Sequence, residues 1–299
     1  MGGIGSFIGA QLAENFRNDK DINVIFICRG KTKEIISKDG LTLTSKDKVY
    51  TVQPDLISDN PGEIGALDIL ILSTKSYALR NAVTEYKNCI NENTVIIPLQ
   101  NVVNAKELIE NNIESKPNIL EGCIYIASNI VRPGSVKHVG GPGKVIFGNE
   151  DTKNFQWVAD ILNKGGIDAT YTKQIKTHLW KKYLFVSPVA TITSAHNITF
   201  GQLAEDKSLM HELKGMMREI QNLANHFNVQ LTDQDISDSL SMIRNFPYEA
   251  KSSLQLDLEN QNTQTEKYYL IDYIINNGKN NNVNVNTYER MNDKISVLG

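Results

Sequence analysis

Residues 1–31, MGGIGSFIGAQLAENFRNDKDINVIFICRGK, carry the pattern on which the fold turns. Gly2-Gly3-Ile4-Gly5 runs straight into residues 6–16, where Phe7, Ile8, Leu12 and Phe16 give a helical face. Residues 23–28 (NVIFIC) form a short, nearly all-apolar run, as expected of a parallel strand covered on both faces. Glycines that open a helix ahead of such a strand match the back half of a dinucleotide fingerprint, G-x-G-x-x-G. There the backbone approaches a pyrophosphate seated on the positive end of the helix. In that alignment Gly2 is the second glycine and Gly5 the third. The first glycine and the whole first strand, central in such sheets, would precede Met1. A flexible glycine-rich start is the bland alternative.

Outward from this stretch the alternation continues. Residues 67–72 (LDILIL) and 94–99 (TVIIPL) read as further buried strands, with a helix expected over 77–89 between them. Another apolar stretch covers 118–130, and a strand at 145–147 follows a Gly-Gly-Pro-Gly turn at 140–143. Strands alternating with helices imply right-handed crossovers and a doubly wound, mostly parallel sheet. After about residue 172 the texture changes. Residues 177–195 are apolar around Pro188, 203–227 and 233–244 are amphipathic, and 265–277 is a further helix candidate. The expected organisation is an α/β nucleotide-binding domain over 1–172 and an all-α domain over 173–299, with the Asn-rich tract 276–286 as a loop between helices.

Composition bounds the partners. The chain has 299 residues, 40% hydrophobic and 22% charged, with a net charge of −3. Mixed charge of that size argues against nucleic acid or an anionic membrane as partner. No stretch reaches the roughly 20 apolar residues that cross a bilayer, and the N-terminus does not read as a signal peptide. Three widely spaced cysteines make neither a zinc pattern nor a disulfide framework, so a reducing cytoplasm is the simplest setting. Five scattered histidines leave little case for a metal.

Three polar residues fall just past predicted strands: Arg29, followed by Lys31, after 23–28; Lys75 after 67–72; and Asn101 after 94–99. The carboxyl edge of a parallel sheet is where open α/β folds bind ligands. A base after the second strand suits the 2′-phosphate of NADP, where an acid would suit NAD. Solvated loop charge is the bland reading of each residue alone. In the second half, Lys182 is the last charge before the apolar run 183–195. Desolvation there lowers a lysine's pKa and fits it to donate a proton; a snorkelling head group is the alternative. Lys181 points elsewhere on the helix and reads as surface. Thr263-x-x-Glu266 has the form of a capping box, yet Glu266, Leu270 and Tyr273 share a helical face (i, i+4, i+7), which lets the carboxylate point toward a cleft instead. Either Ser252 or Ser253 can cap a helix. His138 reads as a turn residue after Pro133-Gly134, Trp180 as core, and Pro188 as a kink.

Gly-Gly-Ile-Gly-Ser (2–6), Cys-Arg-Gly (28–30), Ser-Thr-Lys-Ser-Tyr (73–77), Leu-Gln-Asn (99–101), Pro-Gly-Ser-Val-Lys-His (133–138), Leu-Trp-Lys-Lys (179–182), Ser-Ser-Leu-Gln-Leu-Asp (252–257) and Thr-Glu (265–266) occur in this order. In that order and spacing, over essentially the whole chain, the sequence resembles the 2-dehydropantoate 2-reductases, or ketopantoate reductases. The resemblance implies a Rossmann domain and a helical domain with the active site between them. It implies NADPH as hydride donor and 2-dehydropantoate as the small-molecule substrate, giving (R)-pantoate on the route to pantothenate and coenzyme A. It implies Lys182 as catalytic proton donor, Glu266 as its acidic partner, and Ser253 and Asn101 at the substrate. Gly2, Gly3, Ile4, Gly5, Arg29, Lys31, Lys75 and Asn101 would hold the cofactor. A homodimer is compatible with this reading. The chain departs from the family where Val102 follows Leu-Gln-Asn in place of glycine, and where Val186, Ala190 and Phe200 replace pocket asparagines. Two rivals follow: the same machinery on a less polar 2-oxo acid, and an inactive, N-terminally truncated paralogue that only binds metabolite.

Overall fold

The structure, a computed structural model, describes residues 1–46 and 48–298; Gly299, the last residue of the expected second domain, lies outside them. The chain divides into two compact units, one of residues 1–100 with 104–175, the other of residues 101–103 with those from 176 on.

The first unit runs α1 (Gly3–Phe16), β1 (Ile25–Ile27), α2 (Gly30–Asp39), β2 (Leu41–Ser45), β3 (Lys48–Val52), β4 (Leu56–Ser58), α3 (Pro61–Ile64), β5 (Ile69–Leu72), α4 (Leu79–Glu85), β6 (Val95–Pro98), α5 (Ala105–Glu110), β7 (Asn118–Ile119), β8 (Glu121–Arg132), β9 (Ser135–Gly148), α6 (Gln156–Lys164) and β10 (Ala169–Thr172). Strands β1 and β4 pair in parallel, as do β5, β6 and β7 in that order. Their apolar runs reflect cover on both faces: Val95, Ile96 and Ile97 are all at most 1% exposed. Phe7, Ala10 and Phe16 of α1 join Phe26, Leu43, Ile97 and Phe147 in one core.

No ladder joins β1 to β5. Between them lies a cleft of about 1020 Å³ lined by Ile25, Ile27, Ile69 and Ile71 of the two strands, with Gly9 and Leu12 of α1. In a doubly wound sheet the first strand occupies this place, between the second and fourth.

The third sheet departs from the mostly parallel expectation. Its order is β10-β9-β2-β3, with β8 on β9, and it contains the antiparallel hairpins β2–β3 and β8–β9. In β2, Leu41 and Leu43 are buried while Thr42 and Thr44 are half-exposed, a period-2 alternation and not the all-apolar run of a strand covered on both faces. The expected turn at 140–143 is not a turn. Strand β9 runs through it, with positive φ at Gly141 (77°) and Gly143 (78°), where the register against β8 shifts. Such φ values suit glycine, so the segment bulges instead of reversing. His138 therefore stands in a strand. Its Nε2–H donates to the carbonyls of Gly140 (3.0 Å) and Gly141 (2.9 Å), and its Nδ1 faces the Ser45 hydroxyl at 2.9 Å, so it staples the bulge.

The second unit is helical: α7 (Ile175–His196), α8 (Phe200–Glu205), α9 (Lys207–His226), α10 (Asp233–Met242), α11 (Ser253–Glu259), a π-helical turn (Tyr268–Asp272), α12 (Tyr273–Asn280) and α13 (Asn286–Leu298). The amphipathic stretch 203–227 is two helices, because the Asp206 carboxylate accepts the N–H groups of Ser208 (2.8 Å) and Leu209 (3.0 Å) and caps a new start. Leu213, Met216, Ile220 and Leu223 of α9 pack with Leu184, Ile192 and Ile274 in the unit's core. Helix α7 continues past Pro188. No described helix is long and apolar enough to cross a membrane.

Candidate functional site

Two groups of residues have the chemistry of a site, one in each unit. In the first unit α1 opens at Gly2, whose carbonyl accepts the Ser6 N–H at 2.9 Å and whose position offers no side-chain cap. The first N–H groups of α1, at Gly3, Ile4 and Gly5, therefore present the positive helix end uncapped. A Cβ on Gly3 would strike the Ser128 carbonyl, and one on Gly5 would come within 2.5 Å of Ser73 Oγ. Those two glycines let β8 and the end of β5 close on α1. A Cβ on Gly2 would meet only Ser73 O, at 3.9 Å, so backbone with open space beside it lies at the helix start. The cradle fits a phosphate-bearing ligand.

Arg29 follows β1 and caps α2. Its Nη2 is 2.7 Å from Glu85 Oε2, at the end of α4. Lys31 is exposed. Lys33, one turn beyond Arg29, pairs with Asp59 at 2.6 Å, and their hydrogen bond raises the lysine's pKa and lowers that of the carboxyl. Lys33 escaped the sequence reading, although its i+4 spacing from Arg29 at a helix start was a usable signal. Lys75 is half-buried and caps the 3₁₀ turn Ser76–Ala78 after β5. Gln100 Nε2 donates to the carbonyls of Leu72 and Thr74, both at 3.1 Å, which ties the end of β6 to the end of β5. Its role too was missed.

In the second unit Lys182 Nζ donates to Asn101 Oδ1 at 2.7 Å. Lys182 is half-buried and lies beside Tyr183, which is 2% exposed. Asn101 belongs to this unit with Val102 and Val103, and Val103 packs on its core. A half-buried lysine hydrogen-bonded to an amide oxygen is suited to giving a proton to an oxygen that gains negative charge. Lys181 is exposed and pairs with Asp235 at 2.7 Å.

Glu266 is 6% exposed and stands just ahead of the helical segment. The capping box with Thr263 does not form. Thr265 Oγ1 accepts the Lys267 N–H at 3.3 Å, so the helix starts later than that motif requires. The Glu266 carbonyl accepts the N–H groups of Tyr269 and Leu270, both at 3.0 Å. Of the two serines, Ser252 is the cap, accepting the Gln255 N–H at 3.2 Å, with Thr193 Oγ1 at 3.3 Å. Ser253, the first residue of α11, is exposed.

Lys182, Val186, Ala190 and Thr193 fall on one face of α7, and the Thr193–Ser252 contact brings the start of α11 to its far end. Beside it Phe246 stacks on Phe185 (5.5 Å) and meets Phe200 edge-on (5.2 Å). Trp180 is buried against Tyr183 and Phe227, both at 6.0 Å. Among the described residues, no group of three His, Cys, Asp or Glu side chains could hold a metal.

Residues 1–152 match the family described as ketopantoate reductase PanE/ApbA, and residues 174–298 match its C-terminal domain. An uncharacterized oxidoreductase of Bacillus subtilis (strain 168), YkpB, is 28% identical over 93% of this chain and 90% of its own length. A 2-dehydropantoate 2-reductase of Streptococcus pyogenes serotype M18 is 26% identical over 86% of this chain and 83% of its own. Among solved structures, 2-dehydropantoate 2-reductase from Geobacter metallireducens GS-15 superposes with a TM-score of 0.89 at 21% identity, covering 100% of this chain and 98% of that one. D-mandelate dehydrogenase with NADH and anilino(oxo)acetate superposes with a TM-score of 0.87 at 19% identity, covering 99% and 95%. These two likenesses show the fold.

Proposed function

The chain belongs to the ketopantoate reductase PanE/ApbA family and is an oxidoreductase, and from that premise we propose that it reduces 2-dehydropantoate to (R)-pantoate with NADPH, a step toward pantothenate and coenzyme A. The observation that carries this reading is the 2.7 Å bond from Lys182 Nζ to Asn101 Oδ1, in a chain with an uncapped glycine-rich helix start.

A reduced nicotinamide, when bound, supplies the hydride. The α1 start with Gly2, Gly3, Ile4 and Gly5 would take the cofactor's pyrophosphate, and Arg29, Lys31 and Lys75 would hold its other groups, with Arg29 at the 2′-phosphate. Lys182 gives a proton to the keto oxygen as it becomes an alkoxide. Asn101, by accepting from the ammonium, keeps its N–H bonds oriented. The exposed Ser253 hydroxyl takes the substrate carboxylate, and buried Glu266 accepts from the substrate hydroxyl and keeps Lys182 charged.

A second reading keeps this chemistry and changes the substrate to a less polar 2-oxo acid. It is favoured by Val186 and Ala190 on the Lys182 face of α7 and by buried Phe200. The similarly folded D-mandelate dehydrogenase, solved with anilino(oxo)acetate, supports considering aryl-bearing acids. One experiment separates the readings: loss of reduced-nicotinamide absorbance with 2-dehydropantoate, a branched alkyl 2-oxo acid and an aryl 2-oxo acid, each with NADPH and NADH. A clear preference for 2-dehydropantoate removes the second reading. No turnover on any 2-oxo acid removes both.

A further inference from the structure

Helix α7 presents the Lys182 ammonium, and the same stretch of it grips the backbone that follows Glu266. The Tyr183 hydroxyl donates to the Tyr269 carbonyl at 2.7 Å. One turn on, the Ser187 hydroxyl donates to the Leu270 carbonyl at 2.6 Å. Both acceptors lie in the π-helical turn Tyr268–Asp272. The amides of these same two residues donate to the Glu266 carbonyl. Glu266 is thus linked through two residues, by backbone hydrogen bonds on one side and side-chain hydroxyls on the other, to the helix that carries Lys182.

We propose that Tyr183 and Ser187 are positioning residues: their hydroxyls lock the widened turn after Glu266 and so fix where that carboxylate stands relative to Lys182. This rests on the roles given to Lys182 and Glu266 above. Widened turns of this kind are rare and cluster at functional sites. Both hydroxyls are deeply buried, Tyr183 at 2% and Ser187 at 0% exposure, and burial raises the Tyr183 pKa well above its ordinary value, so the phenol stays a donor. A buried hydroxyl on a helix can instead bond to its own chain four residues back, as Thr191 does to the Ser187 carbonyl at 2.7 Å. Ser187 reaches across to another segment. Its one proton goes to Leu270, so Tyr288, whose hydroxyl is 2.6 Å from Ser187 Oγ, is the donor in that contact. Tyr288 is itself anchored, since the Glu219 carboxylate accepts the N–H groups of Thr287 (2.8 Å) and Tyr288 (3.1 Å). The network joins α9, α13, α7 and the turn.

Removing either hydroxyl takes a buried hydrogen bond from a carbonyl of the turn and frees the turn to shift. A shift at that point misplaces Glu266. The test compares Tyr183→Phe, Ser187→Ala and Ser187→Thr with wild type and Lys182→Ala, in steady-state kinetics across pH and in thermal melts. Expected are a kcat about tenfold lower or more for Tyr183→Phe and Ser187→Ala, since small misplacements of reacting groups cost that much. With this go a KM within about twofold to threefold of wild type, a displaced pH profile, and recovery of kcat in Ser187→Thr. Wild-type kcat and pH profile in Tyr183→Phe and Ser187→Ala, with only a lower Tm, would overturn the proposal. If Tyr183→Phe does not fold, the contrast between Ser187→Ala and Ser187→Thr decides alone. Full activity in Lys182→Ala would instead bring down the catalytic reading beneath it.

Discussion

Lys182 and Asn101, 81 residues apart in the chain, meet at 2.7 Å between Nζ and Oδ1. The lysine comes from a long buried helix and the asparagine from the three residues that follow β6. An amide oxygen is a neutral acceptor, so it orients the ammonium without lending the negative charge that would make its proton harder to release. Lys182→Ala is expected to lower kcat by about 10²–10⁴-fold, the usual worth of a placed general acid, with cofactor affinity near wild type. Asn101→Asp is expected to move the basic limb of the pH–rate profile upward, because a carboxylate there favours the charged lysine. Unchanged turnover in Lys182→Ala would exclude it as proton donor.

Arg29 is held by Glu85 in an exposed ion pair. A 2′-phosphate must draw the guanidinium away from that carboxylate, and exposed pairs are worth only about 0–1 kcal/mol. Glu85→Gln should therefore tighten NADPH a few-fold and leave NADH unchanged, measured by fluorescence titration of both cofactors. Arg29→Ala should weaken NADPH more than NADH. Equal effects on the two would show that Arg29 does not read the phosphate.

Val186 and Ala190 give the Lys182 face of α7 no amide groups. If they line the substrate, Val186→Asn with Ala190→Asn should shift kcat/KM toward hydroxyl-bearing 2-dehydropantoate over an alkyl analogue. A shift of about tenfold is the scale set by one or two hydrogen bonds to substrate. Ala190 is 3% exposed, so the double variant will also melt lower, and the single Val186→Asn variant separates specificity from stability.

His196, at the end of α7, accepts from Lys294 Nζ at 3.1 Å. Burial lowers its pKa below the ordinary 6.5, and the lysine charge adds to this against the opposing pull of Glu212 and Asp206. The unfolded chain then binds more protons just below pH 6.5, so stability is full above that pH and declines as pH falls through the folded value. Denaturant unfolding at several pH values should show a shallower acid limb for His196→Gln. An identical limb would mean that this histidine is not the group responsible.

Strands β1, β5 and β6 were legible because cover on both faces makes an uninterrupted apolar run. The helical second half was legible from its periodicity. Hairpin β2–β3 was passed over because its one covered face writes alternation, and β9 because glycines at 140–143 serve a bulge as readily as a turn. The capping box, the alternative reading of Glu266, is absent for a related reason. Its pattern, Thr263-x-x-Glu266, is local, but where a helix begins is settled by what packs on it, and here the start moves to Thr265 and Lys267.

Residue order alone determined the α/β-then-α architecture, the glycine start of the first helix, and the candidacy of Arg29, Lys75, Asn101 and Lys182, because periodicity, backbone freedom and position after a strand are properties of short stretches. Only the tertiary structure decided that Asn101 bonds Lys182, that Glu85 and Asp59 occupy the bases at the end of β1, and that Tyr183 and Ser187 grip the turn behind Glu266. Those are contacts between segments distant in the chain, and no local pattern encodes a distance in space.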